Sequence, residues 1–130
     1  MNETMQIHGA VSWTELLSPM PEEAMAFYSE VFGWTYQTED MGDGLIYNSI
    51  QAGERQIGGV MQTPSEASEQ PPMWTSYVTV NNLDSTLEKV QQLGGTLLNG
   101  PNDIPEVGRC AFFKDPQGAM FHAVEYHMEK

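Results

Sequence analysis

Apolar and polar positions along this chain change their spacing in the same order twice. Residues 10–17, Ala-Val-Ser-Trp-Thr-Glu-Leu-Leu, have strand character, and Pro19 and Pro21 stop the run. Pro21 followed by Glu22 and Glu23 starts a helix, since Pro suits the first turn and acids complement the N-terminal dipole. Ala24, Phe27, Tyr28, Val31 and Phe32 then recur on one helical face, and Gly33 ends the helix. This spacing predicts packing of Phe27 and Tyr28 against a sheet. Strand-like runs follow at Trp34–Glu39, Leu45–Ala52 and Gln56–Gln62, with Gly42-Asp43-Gly44 and Gly53-Glu54-Arg55 as turns. Thr63 to Met73 is polar, Pro-rich and aperiodic, which is linker composition.

The second half repeats the order. Trp74–Val80 is a strand; Asn81 and Asn82 cap a helix with Leu83, Leu87 and Val90 on one face; Gly94-Gly95 ends it. Thr96–Asn99 is a short strand, followed by a loop with Pro101, Pro105 and Gly108. Arg109–Lys114 and Ala119–Glu125 form a closing hairpin around Asp115-Pro116-Gln117-Gly118, which fits a type I turn position by position. Strand, helix, then three strands, twice, predicts an α+β chain of two βαβββ modules, 8–62 and 74–130, joined by a linker at 63–73. In the last strand, alternation sets Met120, His122 and Val124 in one row and Phe121 and Ala123 in the other. His122 therefore sits among apolar neighbours.

Charge narrows the partners. The net charge of −13 comes from 18 acids against five bases, Arg55, Lys89, Arg109, Lys114 and Lys130. So few cations form no phosphate-tracking stripe, so no nucleic-acid partner is expected, and anionic membrane surfaces are disfavoured. No apolar run approaches ~20 residues, so no membrane span is expected. The N-terminal Met-Asn-Glu-Thr-Met has no secretory-signal pattern. A lone Cys110 suits a reducing, cytoplasmic compartment. The 130 residues make one domain's worth of chain.

Four stretches in order resemble the glyoxalase / bleomycin-resistance / extradiol-dioxygenase superfamily, the vicinal oxygen chelate fold. They are Trp13-Thr14-Glu15-Leu16, then Ala26-Phe27-Tyr28 with Val31-Phe32-Gly33-Trp34, then Leu93-Gly94-Gly95, and Asp115-Pro116-Gln117-Gly118. The resemblance implies a single domain over 1–130, with an open cup-shaped sheet, both helices outside it and a central site. It also implies a divalent metal held by His, Glu or Gln from the opening and closing strand of each module. Carried over residue by residue, those positions fall on Trp13, on Thr75, on a strand 56–62 without acid or His, and on His122. Trp cannot coordinate and a Thr hydroxyl is a poor ligand, while a stable site needs about three or four protein ligands. No metal or other cofactor is therefore expected; the alternative is a divalent ion through His122 and Glu15, completed by Gln56 or Gln62. Module pairing between chains, which the family also implies, makes a homodimer an expectation.

The candidate residues have two readings each. His122 is either a hydrogen-bonded core histidine or part of a ligand pocket, where a neutral imidazole can act as base. Glu15 shares Trp13's strand face; it is a solvated rim acid or a desolvated acid–base group. The two are expected to face each other across the cup as its polar centre. Trp13, Met61, Thr75, Tyr77 and Met120 would line the wall for a flat or apolar ligand. Arg109 and Lys114 are the cations near it that can hold an anionic substrate. His8 and His127 are expected at the surface, and Cys110 in packing. Two functions follow: a protein that binds or sequesters a small organic molecule, or an enzyme. The enzyme would be a metal-dependent lyase, isomerase or dioxygenase, or a metal-free one using Glu15 and His122.

Overall fold

A computed structural model describes residues 3–42, 44–63, 71–104 and 107–127. Most of the linker expected at 63–73 lies outside them. Contacts divide the chain into two compact units, Trp13–Thr75, and Met1–Ser12 with Ser76–Lys130.

The first unit holds most of β1 (Val11–Ser18), then α1 (Pro21–Phe32), β2 (Thr35–Asp40), β3 (Ile46–Ala52) and β4 (Arg55–Gln62). The strand order is β2-β3-β4-β1, with β1 parallel to β4 and the other pairs antiparallel. Pro21 sits at the start of α1, and Gly33 ends it at φ 75, a left-handed value that favours glycine. Leu16, Ile50 and Val60 form the core under α1, with Ala24, Met25 and Tyr28 packed on it. Alternation sends Trp13, Glu15 and Leu17 to the opposite face, where Glu15 pairs with Gly59, Leu17 with Met61, and Met61 with Tyr47. Tyr28 packs on the sheet as its spacing predicted, but Phe27 is exposed, as are Val31 and Phe32. The helical stripe extends beyond the part of the sheet that covers it.

The second unit holds the end of β5 (Met73–Thr79), α2 (Leu83–Gln92), β6 (Thr96–Ile104), β7 (Gly108–Lys114) and β8 (Met120–Tyr126). The order is β5-β8-β7-β6, with β5 parallel to β8. Asn82 caps α2 by accepting from Ser85 N at 2.9 Å, and the Glu125 carboxylate accepts from Leu83 N at 2.7 Å. Val80, Leu83, Leu87, Ala111, Phe113 and Ala123 make the core between α2 and the sheet. The turn at Asp115 forms as its residues demand. Gly118 N donates to Asp115 O at 3.0 Å, and Asp115 Oδ1 accepts from Gln117 N at 2.9 Å and Ala119 N at 3.0 Å. β6 is longer than the expected 96–99 strand. It continues through Gly100 and Pro101 with shifted register around Asn99, as an outermost strand permits. The N-terminal segment packs on this unit: Gly9 N donates to Thr79 O at 2.7 Å, and Asn81 N donates to the exposed His8 at 2.9 Å.

Candidate functional site

The turn at Asp115 sets the register of β7 against β8, pairing Phe112 with His122 and Lys114 with Met120. On the other side of β8, Tyr77 pairs with His122. Side chains stand roughly perpendicular to a sheet, so the three rings rise side by side from adjacent strands. Tyr77 stacks on His122 at 4.1 Å between centroids and 6° between planes; Phe112 stacks at 4.5 Å and 26°. His122 is 7 % exposed. Its ring faces are taken by the flanking rings, which leaves the edge with the two nitrogens for polar contacts.

Burial decides the charge of this imidazole. Desolvation pushes the His122 pKa down to about 3, so the ring is neutral near pH 7. Half-buried Met120 and Lys114 continue the row, as does Cys110 opposite Val124. Arg109 does not. Odd-numbered positions of β7 face α2 with Ala111 and Phe113, and Arg109 pairs there with Asp84 at 3.1 Å. Phe112 is a residue that sequence reasoning missed, although counting back from the turn finds it opposite His122. A polar chain was also missed. Thr79 Oγ1 donates to Thr4 O at 2.8 Å and lies 2.9 Å from Ser12 Oγ, which is 2.8 Å from Tyr126 Oη. Burial raises the Tyr126 pKa.

In the first unit, Trp13, Glu15 and Met61 share one sheet face. Glu15 is 2 % exposed. Trp13 Nε1 donates to Tyr47 Oη at 2.8 Å. Gly59 gives the Tyr47 ring its place, because a Cβ there would collide with the phenol. Thr75 is buried on β5, and its carbonyl accepts from Thr14 Oγ1 at 3.4 Å. Glu15 and His122 belong to different units. Of the positions where the resemblance implies metal ligands, Trp13 is a hydrogen-bond donor, and β4 presents Gly59 and Met61 on Glu15's face. Among the described residues no three His, Cys, Asp or Glu side chains gather as a metal-binding set.

Residues 10–123 match the family described as the Glyoxalase/Bleomycin resistance protein/Dioxygenase superfamily. The chain belongs to this superfamily. CFP32 of Mycobacterium bovis, named provisionally as a glyoxylase, is 38% identical over 125 residues, covering 96% of this chain and 46% of that protein. The anthracycline biosynthesis protein DauV of Streptomyces sp. (strain C5) is 31% identical, covering 87% of this chain and again 46% of the relative. The chain thus spans about half the length of these two relatives. A glyoxylase-like domain-containing protein of Didymella fabae is 30% identical and is covered over 91% of its length. Among solved structures, methylmalonyl-CoA epimerase from Mycobacterium tuberculosis superposes with a TM-score of 0.65 at 16% identity, covering 98% of this chain and 94% of that one. The fold is thus the superfamily's α+β arrangement of two βαβββ modules. No helix among the described residues is long and apolar enough to cross a membrane.

Proposed function

We propose that this superfamily member binds a small, flat organic molecule against the Tyr77–His122–Phe112 face, without a complete catalytic metal site. The observation that carries this reading is the stacked, buried and neutral imidazole of His122. A neutral imidazole between two aromatic rings gives this sheet face an uncharged, flat aromatic surface. A group with a pKa of about 3 is a weak general base near neutral pH, so proton abstraction by His122 is disfavoured. Tyr77, Phe112 and Met120 add apolar and aromatic surface beside it. The same reading leaves Arg109, paired with Asp84 on the α2 side, out of the ligand surface. The name of DauV makes flat anthracycline-type compounds the first to test. The lone Cys110 fits a cytoplasmic setting.

A panel of such compounds should bind in calorimetry, and His122→Ala should weaken binding at least tenfold. Binding untouched by that change would refute the reading. The donor set does not fit a His/Glu metal site, so dialysed protein offered zinc, nickel, manganese or iron should retain well under one ion per chain. Stoichiometric metal that is lost on His122→Ala would overturn this.

A second reading is favoured by Glu15. A carboxyl group that is 2 % exposed on the Trp13 face has the placement of an acid–base residue in a metal-free enzyme. Under that reading Glu15→Gln abolishes turnover of a bound compound while leaving its affinity within a few fold.

A further inference from the structure

We infer that the α2 side of the second unit carries a binding site for a small apolar carboxylate, a compact hydrocarbon body with one acid group. The site lies on the other face of β8 from His122. Alternation sends Phe121 and Ala123 towards α2, while His122 points away from it. Val78 pairs with Ala123 between β5 and β8, and Phe113 pairs with Phe121 between β7 and β8, so these side chains tile one apolar floor. On α2, Leu83 and Leu87 are buried in the core, whereas Thr86, Lys89, Val90 and Leu93 recur along one flank of the helix. That flank and the floor enclose a groove of about 230 Å³, all of it within the second unit.

The groove suits a hydrocarbon. Its wall is almost entirely carbon. The Thr86 hydroxyl is already used, since Oγ1 donates to Asn82 O at 2.8 Å. Phe113 and Phe121 meet edge-on at 4.0 Å and brace each other in the floor. Leu93 at the rim is 76 % exposed, so an apolar body seated in the groove gains by covering it.

Size and charge select the ligand. An apolar cavity of ~150 Å³ takes a benzene-sized ring, so the volume here takes such a ring with a short carbon arm. The Lys89 stem forms part of the wall, and its ammonium stays in water at the rim. Lys89 is one of five bases in a chain of net charge −13, and it makes no ion pair among the described residues. A carboxylate on the arm of a buried ring meets that ammonium at the mouth of the groove.

Methyl NMR of the full chain with cyclohexylacetate and with 2-cyclohexylethanol, a similar body without the charge, tests this. A saturated ring is not flat, so it does not suit the stacked Tyr77–His122–Phe112 face, and the outcome is independent of binding there. The acid should shift the Val78, Val90 and Leu93 methyls with a dissociation constant on the order of 1 mM, and leave the Met120 methyl unmoved. Lys89→Met keeps the apolar stem; it should weaken the acid about threefold to fivefold and leave the alcohol unchanged. Leu93→Asp, at an exposed rim position, should weaken both. No shift of the three methyls up to ~10 mM acid would overturn the proposal. So would an equal response of acid and alcohol to Lys89→Met, or shifts at Met120 with Val78 and Val90 unmoved.

Discussion

Protonation of His122 should limit the acid stability of the fold. Unfolded, its imidazole titrates near 6.5; in the fold, burial pushes the pKa down to about 3. The native state therefore binds fewer protons than the unfolded state throughout this window. Stability from His122 is fully present above about 6.5 and is lost progressively as pH falls from there towards 3. Between about pH 7 and pH 5 the loss is ~2 kcal/mol, since each unit below the unfolded value costs ~1.4 kcal/mol. That is a sizeable part of the ~5–15 kcal/mol available to a domain. Other groups titrate too, so the assay is a difference. Urea unfolding of the native chain and of His122→Phe, which keeps a ring between Tyr77 and Phe112, is followed at both pH values. The native chain should lose ~2 kcal/mol more than the variant over that interval, and His122→Gln should behave like His122→Phe. Parallel pH dependence in all three proteins would refute the reasoning, because it would mean that His122 titrates alike folded and unfolded.

Three further outcomes are expected. Gly59→Ala drives a methyl into the Tyr47 phenol that holds the Trp13 indole; a stability loss of ~1–3 kcal/mol and altered tryptophan fluorescence should follow. Asp115→Ala removes an acceptor shared by two backbone N–H groups in the turn, and should cost ~1–2 kcal/mol by thermal melting without changing ligand affinity. Arg109→Ala breaks an exposed pair with Asp84 on the α2 side; ligand affinity in calorimetry and the melting temperature should both stay close to native.

The sequence was most legible where a short turn sets long-range order. Asp115-Pro116-Gln117-Gly118 fixes a hairpin register, and alternation from it puts His122 in a row with Met120 and Val124. The same count places Phe112 beside His122 and Arg109 on the helix side. Arg109 was misassigned because its charge was weighed before its parity. The α1 spacing identifies which residues share a stripe, but the length of sheet beneath that stripe is a tertiary fact. Tyr28 is covered by it while Phe27 and Phe32 are not. Gly100 and Pro101 concealed the outer half of β6, since turn-forming residues are also tolerated in an edge strand. Burial of Glu15 follows from alternation beside Trp13, whereas the crowding of Tyr47 over Gly59 depends on a cross-strand register that β3 and β4 do not declare locally.

Methyl NMR on the methionines tests the central claim most directly. As flat aromatic compounds are titrated in, their ring currents should shift the Met120 methyl, beside His122 on β8. The shift should vanish in His122→Ala, with Arg109→Ala behaving as the native chain. A Met120 shift that persists in His122→Ala, or no shift across the panel, would contradict a ligand site on the Tyr77–His122–Phe112 face.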